Sequence, residues 1–296
     1  MIDSDDLRTF LEVAEAGGVT PAAGRLGVSK SIVSRQLMRL ESALGAQLLS
    51  RTTRGAVLTE AGAIFREHAL RVVGELDAAQ DAISPDGEAR GRLRIAAPLS
   101  FGPTHLAPVL ADLALQHPLL QIHAAYADRF VDLVGEGFDA GVRLGYLADS
   151  SLVARKIAPV HGRLVASPEY LARAGAPTTP ADLMAHDAII SVQRAEWRLQ
   201  DGEEFVTVRP RPRFSGDNGE ALMTAALKGL GIFLAPDFLA GPHLQAGELV
   251  EVLPDYPAPA GGLYVVRAPG EHVPRKIRVL IDLLVERFGE RSGIRL

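Results

Sequence analysis

Six basic side chains, Arg25, Lys30, Arg35, Arg39, Arg51 and Arg54, fall between residues 20 and 54, and only Glu41 opposes them. That segment carries a local +5 in a chain whose formal net charge is −5. Guanidinium and ammonium groups at this density suit phosphate oxygens and, held in the right geometry, the acceptor edge of guanine. A charge run is more often a solvated face, so the elements that carry these residues must decide. Leu7, Phe10, Leu11, Val13 and Ala14 repeat at helical spacing up to Gly17-Gly18. Thr20-Pro21 reads as an N-cap and first helical residue of a short helix, stopped at Gly27. After a turn of four residues, Ser29 caps a second helix, KSIVSRQLMRLESAL, which Gly45 ends. Its apolar stripe is Ile32, Val33, Leu37, Leu40 and Leu44, and its opposite face carries Lys30, Ser31, Ser34, Arg35 and Arg39. Small Ala23 suits a close helix crossing. A capped turn, a small crossing residue and a basic outer face together favour a helix whose first turn enters a major groove.

The segment AQLLSRTTRGAVL has two β-prone runs around Arg51 and Arg54, a hairpin wing suited to backbone phosphates. Thr59 then caps a helix reaching about Ser84. Phe65, Ala69, Val72, Leu76, Ala79 and Ile83 alternate steps of four and three along it, a heptad seam expected to pair with a second copy. Phe65, Val72, Leu76 and Ile83 are its large members. Ser84-Pro85-Asp86-Gly87 marks the end of this region.

The run AAGRLGVSKSIVSRQLMRLESALGAQLLSRTTRGAVLTEAG resembles the DNA-binding region of the LysR-type transcriptional regulators. Paired alanines, the glycine turn, the Ser-Arg-Gln step, the Leu-Glu pair, RTTRG and LTEAG carry it, and the likeness extends over the whole chain. The resemblance implies a winged helix-turn-helix, a dimerising linker helix and a two-lobed effector domain like a periplasmic binding protein. It also implies that dimers often pair into tetramers. Many members carry glutamine where this sequence has Lys30, a change that bears on which base is read.

The remaining residues read as α/β. RLRIAA, a helix through THLAPVLADLALQ, LQIHAAY, a helix through VDLVGEG, and FDAGVRL form a βαβαβ pattern with a parallel sheet. DAIISV, EALMTAAL and GIFLAP follow, and then LYVVR with a C-terminal helix PRKIRVLIDLLVERF. The expected organisation is 1–58 for the winged helix-turn-helix, 59–86 for the linker helix and 91–296 for the effector domain. Lobe I takes about 91–161 and 266–296, lobe II about 162–265, with the second crossing near Leu263–Arg267. A ligand would sit between the lobes. Ser100, with Phe101 beside it, opens a helix whose amides attract an anion. Arg143 and Gly145 end a strand, and Asn218 precedes a helix. The resemblance implies that these three places line the effector pocket, and Ser100 with Arg143 points to an organic anion. Local capping is the simpler role for Asn218, and Arg143 serves an internal salt bridge equally well.

Enzyme signatures are missing. GEGFDAG precedes a strand and so fails the dinucleotide fingerprint. There is no Walker loop, GxSxG elbow or HExxH. With no cysteine, disulfides, iron–sulfur clusters and thiolate zinc sites are excluded. The eight histidines are scattered, so no metal and no cofactor are expected. No apolar run approaches the roughly 18 residues of a membrane span, and a signal peptide is missing, which points to the cytoplasm. The expected partners are double-stranded DNA carrying an inverted repeat, a small-molecule effector and further copies of the chain. The rival reading is a cytoplasmic solute-binding or catalytic α/β protein with a helical extension.

Overall fold

A computed structural model describes residues 2–52, 55–83, 87–129, 131–147, 149–270, 272–289 and 296. The chain divides into two compact units, Met1–Gly87 with Glu271–Arg275, and Glu88–Gly270 with Lys276–Leu296.

In the first unit, α1 (Ser4–Ala16), α2 (Val19–Leu26) and α3 (Lys30–Leu44) close on Phe10, Val13, Ala22, Ala23, Val33, Leu37 and Leu40. Asp3 caps α1 by accepting from the Asp5 amide, and Gly17 ends it in the left-handed region. Helix α2 starts earlier than Thr20-Pro21 suggests, with Gly18 at its N-cap. Pro21 is still tolerated, because first-turn amides have no intrahelical partner. Between α2 and α3 lie three residues rather than four, and Ser29 caps α3 by accepting from the Ile32 amide at 3.4 Å. Strands β1 (Leu49–Thr52) and β2 (Gly55–Leu58) pair antiparallel as the wing. Glu41, the single acid of the basic segment, accepts from the Leu48 and Leu49 amides at 2.8 and 3.1 Å and so fixes the wing's entry. Thr59 accepts from the Gly62 amide at 3.0 Å at the start of α4 (Glu60–Ile83).

The second unit contains two five-stranded sheets. Lobe I orders its strands β4 (Leu120–Tyr126), β3 (Gly91–Ala97), β5 (Ala140–Gly145), β14 (Gly261–Arg267), β6 (Val153–Val160). Helices α5 (Ala107–Gln116) and α9 (Arg275–Phe288) supply Val109, Leu113, Ile277, Leu280 and Leu284 to the buried set. Lobe II orders β11 (Arg211–Gly216), β8 (Asp187–Ser191), β12 (Ile232–Pro236), β7 (Gly162–Ala166), β13 (Val250–Glu251). Its helices are α6 (Pro168–Ala174), α7 (Gly219–Leu227) and α8 (Asp237–Gln245). A hairpin of β9 (Trp197–Asp201) and β10 (Glu204–Val208) packs Trp197 and Leu199 into the same core.

Three expectations change. Both sheets are mixed rather than parallel: β14 runs antiparallel to β5 and β6, and β7 antiparallel to β12. VDLVGEG forms a turn and not a helix, because Gly135 and Gly137 interrupt it while Val131 and Leu133 are drawn into the core. The second crossing between lobes precedes residue 261 instead of lying near Leu263–Arg267. Strand β14 pairs within lobe I from Gly261 onward.

Candidate nucleic-acid interface and ligand cleft

The basic segment separates into two populations. Arg39 Nε donates to Asp6 at 2.7 Å, and Asp6 is fully buried, so Arg39 ties α3 to α1. This contact raises the already high pKa of Arg39. Arg25 donates to Glu12 at 3.2 Å, and Gln36 receives the Thr9 hydroxyl at 2.9 Å. Arg39 lies exposed on the expected outward face but is engaged as a clamp between α3 and α1. Lys30, Ser31 and Arg35 are exposed and Ser34 half-exposed, all on the first turns of α3. Among the described residues no carboxylate pairs with Lys30 or Arg35. Ser31 shares its hydroxyl with Ser29 at 2.8 Å. Ile32, expected on the apolar stripe, is 39% exposed and, with Val28 at 37%, lies beside this polar face. Arg51 sits on β1 opposite Ala56, and Arg54 lies outside the described residues.

The seam on α4 is divided too. Phe65 packs tilted on Phe10 with centroids 5.5 Å apart, and Ala69 is buried in the same core. Phe65 therefore serves its own domain rather than a partner helix, because α1 claims that end of the seam. Farther along, Val72, Leu76 and Ile83 are 48%, 41% and 85% exposed. Ile64, next to Phe65 in the sequence, is exposed as well.

Between lobes I and II lies a cavity of about 330 Å³. Ser100, Arg143 and Gly145 are on its wall. Gly145 ends β5 at φ +95°, a region that favours glycine. Phe101 is not on the wall. It is fully buried, stacked on His105 at 5.1 Å and edge-on to Phe238 at 5.3 Å. Asn218 also stands behind the wall. It caps α7 by accepting from the Ala221 amide at 2.9 Å and donates to Asp128 at 2.7 Å.

The amides near Ser100 are not the open anion cradle that its sequence context suggests. Phe101 and Gly102 donate to Pro98 O at 3.3 and 2.8 Å, and Leu99 donates to Asp128 at 2.9 Å. A π-type turn, Gly102–Leu106, precedes α5 and accounts for this local geometry. Arg143 donates to Val131 O at 2.9 Å, and burial lowers its pKa.

Several contacts close the cleft. Asp128, after β4, meets Asn218 of lobe II, and its carbonyl receives the Gln193 amide at 3.0 Å. Arg194 lies over the Tyr146 ring at 4.6 Å. Gly219 approaches Ser100 so closely that a Cβ on it would lie 3.1 Å from Ser100 Cβ and 2.8 Å from Leu239 Cδ1. Among the described residues there is no metal-binding group of three or more histidine or acidic side chains, and no helix long and apolar enough to cross a membrane.

Residues 4–63 match the family described as "Bacterial regulatory helix-turn-helix protein, lysR family", and residues 86–289 match "LysR substrate binding domain". The chain belongs to the LysR family of transcriptional regulators. It is 38% identical to the HTH-type transcriptional regulator PtxR of Pseudomonas aeruginosa, over 100% of this chain and 96% of that one. It is 36% identical to an HTH-type transcriptional regulator of Xanthomonas campestris pv. campestris, over 97% and 86%. Among solved structures, CrgA, a LysR-type transcriptional regulator from Neisseria meningitidis, aligns at TM-score 0.61 and 30% identity, covering 98% of this chain and 100% of that one. The full-length Vibrio cholerae virulence activator AphB aligns at 0.58 and 30%, covering 96% and 98%.

This LysR-type regulator thus binds DNA through its helix-turn-helix and a small molecule through its substrate-binding domain. Sequence reasoning missed Asp128, Tyr146, Gln193 and Arg194 on the cleft wall. They lie on connections after β4, β5 and β8, where no periodicity marks the side chains that face inward. Tyr146 directly follows Gly145, and that proximity is the one available signal.

Proposed function

We propose that this regulator binds an inverted-repeat operator as an oligomer, in the cytoplasm, and that a small molecule between lobes I and II changes its DNA-bound arrangement. Lys30, Ser31 and Arg35 read base edges, while Ser34, Arg51 and Arg54 hold phosphates. Val72, Leu76 and Ile83 of α4 make the helix pair, and dimers pair further into tetramers. The observation that carries the effector part is a cavity of about 330 Å³ walled by both lobes, within the size range of small-molecule sites. Ser100, Arg143 and Gly145 contact the ligand, and Asn218 acts through Asp128. A ligand that binds the closed and open lobes unequally shifts their balance, whereas equal affinity shifts nothing.

DNase footprinting on a bound operator tests this, with and without a compound found by thermal-shift screening. The expected result is a protected region with dyad symmetry whose extent or internal hypersensitivity changes with the compound. A footprint indifferent to every compound that stabilises the protein would refute the coupling.

A further inference from the structure

Three arginines line the cavity, and they are differently committed. Arg129 exchanges two bonds with Glu136, Nη1 to Oε1 at 2.7 Å and Nη2 to Oε2 at 2.6 Å. Arg143 donates to the Val131 carbonyl. Arg194 has the Tyr146 ring as its described side-chain contact, and no carboxylate among the described residues pairs with it. We infer that Arg194 selects the charge of the effector, offering its guanidinium from lobe II to a small organic carboxylate while Tyr146 of lobe I holds it in place. This deepens the proposed function and rests on the cleft being the effector site.

The geometry gives the reason. Stacking on an aromatic ring uses the face of a guanidinium and leaves its in-plane N–H donors available. Those donors match the two oxygens of a carboxylate. Tyr146 is a fixed platform: its hydroxyl donates to Pro259 O at 2.5 Å, on the segment that crosses between the lobes. The Arg194 turn is fixed as well. Its amide donates to Ser191 O at 2.8 Å, and neighbouring Gln193 reaches Asp128 O across the cleft. A side chain already held by both lobes loses little freedom when it takes a ligand. Neither acid on the wall forms an ion pair with Arg194 among the described residues. Asp128 already accepts from Leu99 and Asn218, and Asp217 is exposed to solvent. A carboxylate on Arg194 would also join the lobes through Tyr146, so occupancy and closure would be linked by one side chain.

The test is calorimetry at matched ionic strength with acetate, succinate, glutarate and benzoate, each beside its neutral amide. The full-length wild type is compared with Arg194→Gln, Arg194→Lys, Tyr146→Leu and Ser100→Trp. The expected result is binding of at least one carboxylate in preference to its amide. Arg194→Gln should weaken it tenfold or more, leave amide affinity unchanged and keep DNA binding without ligand. Arg194→Lys should recover part of the loss, and Tyr146→Leu should show an intermediate loss. Unchanged carboxylate affinity in Arg194→Gln, stronger binding of the amides, or no carboxylate binding to wild type would overturn the role of Arg194 and leave the cleft standing. Binding that persists when Ser100→Trp fills the cavity would overturn the cleft reading itself.

Discussion

Arg35 and Arg39 stand one helical turn apart, and the sequence offers no means of telling their roles apart. The difference is made by Asp6 on another helix, which is buried under Arg39 and takes two of its donors. Asp6→Asn should therefore lower the thermal midpoint of the DNA-binding unit while leaving its ratio of specific to random-DNA affinity unchanged. Lys30→Ala should do the reverse, keeping the fold and losing about 1–3 kcal/mol of discrimination at one base pair. Competition binding with operator and random duplex, alongside thermal melts, checks both. His105 carries a different prediction. It lies against Phe101 and Phe238, and burial lowers its pKa below 6.5 against a weaker opposing pull from Glu220. The unfolded chain then binds more protons there than the folded one, so this contribution to stability is complete above pH 6.5. It is lost as pH falls through the lower folded value. The drop in melting temperature from pH 7.5 to 5.5 should be smaller in His105→Leu than in wild type. The burial that makes His105 sensitive comes from a contact between lobes, which no spacing in the chain encodes.

At the scale of elements, periodicity marked most helices and strands of the two units, and failed where glycine or partner choice decided. Helix α3 was legible because Ser29, a 3.6-residue apolar repeat and Gly45 agree. VDLVGEG has the apolar spacing of a helix but too much glycine to continue one. The seam of α4 read as continuous because helical period alone cannot say which helix it faces, and Phe10 claims Phe65. The part left for a partner is Val72, Leu76 and Ile83. Each such side chain gains roughly 1.5–3 kcal/mol on full burial, which a charge would forfeit. Leu76→Asp should sediment as a smaller species than wild type with unchanged helical content, and wild-type sedimentation would remove this seam. In the ligand domain, Gly219 permits the start of α7 to meet Ser100. Gly219→Ala would place a methyl against Leu239 and Ser100, an overpacking of about 1–3 kcal/mol. Chemical denaturation should show that loss, and the affinity of any cleft ligand should fall with it.

The whole molecule joins a segment of local +5 to a remainder of −10, which together make the −5 of the chain. This asymmetry was visible at once and pointed to DNA. What it could not reveal is how few of those cations remain for the duplex once Arg25 and Arg39 are bound to Glu12 and Asp6. On the proposed reading, recognition falls to a small set on α3 and the wing, and one copy offers too few contacts for a long site. Two copies related by a two-fold axis would set their recognition helices about 34 Å apart, one turn of DNA, or a multiple of it. The most direct test is selection of bound duplexes from a random-sequence pool by the full-length protein, followed by sequencing. The account predicts enriched sequences with two half-sites in dyad symmetry, their centres separated by about 10 base pairs or a multiple. Enrichment of a single half-site, or of no sequence at all, would contradict it.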